Sequence, residues 1–144
     1  MLKPLYRNIL LFIFLRYFLF YIFLMFRHND YTLTEIDSLR NAEDTFYYLW
    51  TFLFLPILSA AIFSAPIFVA FKLNNGIVFI LLMTVVFVAE YFFYTYLASQ
   101  ADVTNGFYSA AIGLCLFVVL FLKSIIKLFK KQDNRELIDR LIDI

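Results

Sequence analysis

The sequence predicts an all-α integral membrane protein: a four-transmembrane-helix bundle with both termini in the cytoplasm and a short amphipathic C-terminal helix. Three observations predict it. Hydrophobic residues make up 64% of the chain, against about 45 to 50% in a soluble domain, and the mean hydropathy is +0.84. The apolar residues fall into four runs, each close to the roughly 20 residues that a helix needs to cross a bilayer core of about 30 Å. The charges collect between and after those runs, with Lys and Arg segregated to alternate connections. Residues 1–131 form the transmembrane domain and 132–144 the tail.

The first run, ILLFIFLRYFLFYIFLMF at 9–26, carries Arg16 as its single charge, and Leu5 and Tyr6 can lengthen it; the span is placed at about 7–26. The basic start MLKPLYR resembles the head of a signal peptide. Its apolar stretch is too long for one, however, and no small-x-small site precedes RHND, so the segment reads as a retained anchor. The connection at 27–45 holds five acids, Asp30, Glu35, Asp37, Glu43 and Asp44. Thr32 and Glu35 have capping-box spacing, which predicts a helix starting there and running toward span two. Arg27 and Arg40 interrupt the acids and no regular calcium-loop spacing appears, so this connection reads as a solvated helix or a docking surface.

Span two covers 46–71 and span three 77–98, joined by KLNNG at 72–76. A turn this short makes the two helices antiparallel neighbours, and its Asn and Gly tolerate left-handed backbone. Pro56 and Pro66 each withdraw a backbone donor inside span two, which predicts kinks. Span four covers 107–129 after the short connection SQADVTNG. Ala60 and Ser64, Ala61 and Ala65, and on span four Ser109 and Gly113, recur at four-residue spacing. Small side chains so spaced let helices approach closely, so spans two and four are expected to pack through them.

Orientation follows from counting basic residues. Lys3, Arg7, Lys72, Lys123, Lys127, Lys130, Lys131, Arg135 and Arg140 share one side, against Arg27 and Arg40 on the other. The positive-inside rule places the first group in the cytoplasm, most simply that of a bacterium bounded by its inner membrane, or else the inner side of an organellar membrane. Tyr47, Tyr48, Trp50, Tyr94 and Tyr96 then fall near the outer boundary, where amphipathic rings are favoured. Lys123, Lys127, Lys130 and Lys131 form a band for anionic lipid headgroups. In the tail, Asp133 and Glu136 can cap a helix whose Leu137, Ile138, Leu141 and Ile142 fall on one face, a stripe suited to a partner protein or the bilayer surface.

Two charges lie inside the spans, Arg16 and Glu90. A charge at mid-membrane costs about 2.5 to 3.5 kcal/mol on insertion scales, so neither is expected to face lipid. Glu90 lies about 20 Å into span three; Arg16 lies about 16 Å into span one if that span begins at Leu5, and nearer 10 Å if it begins at Ile9. The register decides whether they pair. As a pair they fix helix order; otherwise each meets another subunit or serves a transport path, for which only Tyr17, Tyr21, Tyr91 and Thr95 lie close in sequence.

Chemistry is sparsely encoded. Cys115 and His28 stand alone, which excludes an intrachain disulfide, a CxxC pair, a zinc cluster and a bis-histidine haem within one chain. The sequence offers no catalytic constellation, no metal ligand set, no cofactor motif and no nucleic-acid footprint. The expected partners are the lipid bilayer and other membrane subunits, and the leading reading is a non-catalytic subunit or assembly factor of a membrane complex. A small homo-oligomeric channel or transporter using Glu90 and Arg16 is the alternative. A further one, a membrane immunity protein against a pore-forming toxin, rests on size and four-span topology alone.

Overall fold

The computed structural model describes residues 2–29, 42–73, 75–98 and 102–142, and the side chains of the last stretch as far as 130. Its elements are α1 (Tyr6–His28), α2 (Ala42–Leu49), a π-helical turn (Trp50–Phe54), α3 (Leu55–Lys72), α4 (Gly76–Phe93), a second π-helical turn (Tyr94–Ala98) and α5 (Val103–Ile142). Among the described residues four stretches are long and apolar enough to cross a membrane: Tyr6–His28, Thr45–Lys72, Gly76–Leu97 and Val103–Lys130. The capping box at 32–35 and most of the acidic connection lie outside the described residues, as do Lys131 and the tail stripe as side chains.

The helices form a ring in which α1 neighbours α3 and α5, and α4 neighbours the same two. Spans two and four are therefore diagonal to one another. Their small residues do not form one shared face: Ala60 and Ser64 are buried while Ala61 and Ala65 face outward. Ser64 Oγ hydrogen-bonds the Tyr6 hydroxyl at 2.9 Å, joining α3 to α1. Toward the end assigned to the cytoplasm the centre is aromatic, with Phe12 5.5 Å from Phe117, and Phe71 5.0 Å from Phe79 and 5.4 Å from Phe121 between ring centroids. Tilted and edge-on rings at such separations are favoured over face-to-face stacking.

In the turn between α3 and α4 the described residues Asn75 and Gly76 do not take the left-handed backbone that their residue types allow. Asn75 is extended, at φ −125°, and its side chain accepts the N–H groups of Ile77 and Val78 at 3.0 and 3.3 Å. It is an N-cap satisfying donors that a helix start leaves open. Gly76 has no positive φ; among the described residues the left-handed one is Asn29, which ends α1.

Span four also begins earlier than 107. Asp102 accepts the Thr104 N–H at 2.8 Å, and Gly106 packs against the Thr95 and Tyr91 side chains, so polar-looking TNG belongs to the helix. The Thr104 bond holds the Asp102 carboxyl below its usual pKa. A lowered folded pKa means that the cap's contribution is whole above about pH 4 and fades as pH falls through the depressed value. Amide exchange at 104–106, corrected for intrinsic rates, should lose protection over that acid window. Asp102→Asn, which caps without titrating, should remove the acid dependence and keep the protection at neutral pH.

Pro56 accounts for the π-turn before α3. Leu55 N–H donates to Trp50 O, five residues back. The next bond in that register would run from residue 56 to Thr51 O, and proline has no N–H to give. The Tyr17 hydroxyl of α1 donates to Thr51 O instead, at 2.5 Å, with both residues buried. Tyr17→Phe is expected to cost about 1 to 2 kcal/mol, because it strands a buried carbonyl. Adding Pro56→Ala should recover most of that loss by returning an N–H, as unfolding in mixed detergent micelles would show. Pro66, by contrast, sits within the continuous run of α3.

Candidate functional site

The two intramembrane charges meet at the centre of the ring. With α1 starting at Tyr6 and α4 at Gly76, Arg16 lies about 15 Å and Glu90 about 21 Å along their helices. The arginine side chain closes that difference. Arg16 Nη1 forms an ion pair with Glu90 Oε2, and the two side chains are 0% and 1% exposed. α1 and α4 are diagonal across the ring, so the pair spans its interior rather than one helix seam.

Around Arg16 the other elements supply a fitted seat. Its Nη2 donates to the Ser109 carbonyl and hydroxyl, each at 3.4 Å. Its Cζ lies 4.8 Å from the centre of the Tyr94 ring, a cation–π distance. On α5, Gly113 leaves room for the stem: a Cβ there would stand 2.5 Å from Arg16 Nε, 2.6 Å from Cζ and 3.1 Å from Cδ. Ser109 and Gly113 thus serve a charge on α1, not a small-residue seam with span two. Tyr94, expected at the outer boundary, is fully buried and turned onto the guanidinium. It lies four residues after Glu90, on the same helical face, and that spacing is the signal that could have placed it in the site.

Toward the opposite end from the phenylalanine core, a second polar clasp joins α1 to α5. Arg27 Nη1 donates to Asn105 Oδ1 at 3.2 Å, and its Cζ lies 4.5 Å over the Tyr108 ring. By sequence alone Arg27 is no more than a charge of the outer connection. Of the other residues near the pair in sequence, Tyr17 is engaged with Thr51, and the Thr95 hydroxyl donates to Tyr91 O at 2.8 Å. Lys123, Lys127 and Lys130 are exposed on α5.

The arrangement can hold two opposite charges away from lipid and tie α1, α4 and α5 together through them. Among the described residues no group of three His, Cys, Asp or Glu side chains could hold a metal ion. An open groove of about 550 Å³ between α4 and α5, whose lining includes Phe87, Tyr91, Phe92, Ala110 and Leu114 but neither member of the pair, is almost wholly apolar. Among the described residues these features define an all-helical chain with four helices long and apolar enough to cross a membrane and a buried ion pair at its centre. No protein-family model, curated protein or solved structure matches the chain.

Proposed function

We propose that the chain is a non-catalytic subunit or assembly factor of a larger membrane protein complex, set in a bacterial inner membrane with both ends in the cytoplasm. One observation carries this reading: the charges of the spans are engaged with each other inside the ring, at 0% and 1% exposure. The interior is committed to structure, and the outward surfaces are left to do the work. α5 offers the most of that surface. Its apolar window is 22% buried, against 39% for each of the first two spans, and its helix continues to Ile142, well past the apolar stretch.

Crosslinking in native membranes followed by mass spectrometry tests the proposal. The expected result is recurrent adducts to one membrane protein through the lysines at 123–131 or the tail at 132–142. A chain that runs as a monomer in mild detergent and gives no adduct would overturn it. The channel reading requires Arg16 and Glu90 to line a path, and their closed pairing speaks against one within a single copy. Liposome flux should accordingly be the same for wild type and Glu90→Gln.

A further inference from the structure

The N-terminal segment and α5, far apart in sequence, are bonded together at the end assigned to the cytoplasm. Leu2 N–H donates to Leu120 O at 2.8 Å. One turn along α5, Ser124 Oγ donates to Leu2 O at 3.3 Å. The Lys3 carbonyl in turn accepts the Leu5 N–H and the Asn8 Nδ2, both at 2.8 Å. Residues 2–5 are thus pinned between the first turn of α1 and the face of α5 that carries Leu120 and Ser124.

That pinning brings the backbone next to Lys3 onto the stretch of α5 that carries Lys123 and Lys127. Lys123 precedes Ser124, and Lys127 lies one turn beyond it on the same side. All three are exposed. Neither α5 lysine has an acid three or four residues away: those positions are Val119, Leu120, Ile126 and Lys127 for the first, and Lys123, Ser124, Lys130 and Lys131 for the second. The described acidic side chains lie elsewhere, Glu43 and Asp102 toward the other end of the ring and Glu90 in its centre. The depth also fits. The Phe79 ring, near the start of α4, is 6.5 Å from that of Phe129, so the ring ends about level with the lysines, where headgroups begin.

We infer that Lys3, Lys123 and Lys127 together form a site for the phosphate-bearing headgroup of an anionic phospholipid in the cytoplasmic leaflet. Three ammonium groups at a hydrocarbon boundary complement a net-negative headgroup and disfavour a zwitterionic one, whose own cation would meet like charge. The site differs from a basic band along one helix, because it needs Lys3 and the bonds that hold it. It rests on the four-span orientation and not on the chain having protein partners.

The test is native mass spectrometry of the full chain in mild detergent at low salt, titrated with phosphatidylglycerol or phosphatidylcholine. Phosphatidylglycerol should be retained preferentially. Lys3→Ala and Lys127→Ala should each weaken retention about fivefold, the effect of one basic residue near an anionic surface. Lys3→Arg should retain it, and Lys72→Ala, on the diagonal helix, should leave it unchanged. Equal retention of the two lipids would overturn the proposal, as would a Lys3→Ala variant that binds like wild type. So would complete displacement by inorganic phosphate, which would assign the lysines to a free anion.

Discussion

Glu90→Ala is expected to lower the unfolding free energy of the bundle by about 3 to 5 kcal/mol, the range found when one partner of a buried ion pair is removed. The reason is less the lost attraction than what is left behind. Arg16 cannot shed its proton, its side chain is fully buried, and its remaining contacts are two 3.4 Å bonds to Ser109 and the face of Tyr94. A guanidinium so held has lost its counter-charge in a low-dielectric interior. Arg16→Met combined with Glu90→Leu should behave quite differently and fall within about 1 to 2 kcal/mol of wild type, because it removes both charges and their desolvation cost while roughly keeping volume. Unfolding by an anionic detergent titrated into mild micelles would measure both. If the double variant lost as much as the sum of Arg16→Met and Glu90→Leu made singly, the pair would carry no coupling energy.

The expected contrast bears on what the pair does in physical terms. An apolar substitute of similar volume could be as stable, so the charges are better understood as selecting one arrangement of helices. Arg16 and Glu90 meet here with α1 and α4 diagonal and α5 beside both. Any rotation that turned either residue to lipid would cost about 2.5 to 3.5 kcal/mol. Specificity of this kind suits a bundle whose outer faces must present themselves in a fixed order to something else.

Much of this architecture was legible because lipid imposes a simple length requirement. Spans of 7–26, 46–71 and 77–98 agree with Tyr6–His28, Thr45–Lys72 and Gly76–Leu97 to within a few residues. Meeting the intramembrane charges needed only a register, which the start of α1 at Tyr6 supplies. The misplaced details share one cause, that a local pattern does not say which way a side chain turns. Ala61 and Ala65 have the spacing of a packing face and point outward, while Tyr94 has the chemistry of a boundary residue and is turned inward by its place one turn after Glu90. Thr104, Asn105 and Gly106 look like a loop until Asp102 is seen to cap them. The link from Pro56 to Tyr17 was beyond sequence reasoning, since it joins a missing donor on one helix to a hydroxyl on another.

Gly113 gives the sharpest test of how the site is built. Its φ is not positive, so a side chain there meets no backbone strain, and the nearest atoms in its way are those of Arg16. A Cβ would require the guanidinium stem to move, being 2.5 Å from Nε. Arginine is flexible, but this one is held at its far end by Glu90 and Ser109, so yielding at the stem loosens the ion pair. Gly113→Ala is therefore expected to cost about 1 to 3 kcal/mol, the usual range for overpacking, and Gly113→Leu more. The same Gly113→Ala change in an Arg16→Ala/Glu90→Ala background should be neutral or stabilising, because the space is then empty and alanine is the better helix former by about 1 kcal/mol. If the alanine cost as much there as in the intact protein, the glycine would be answering to backbone packing on α5 rather than to the buried arginine.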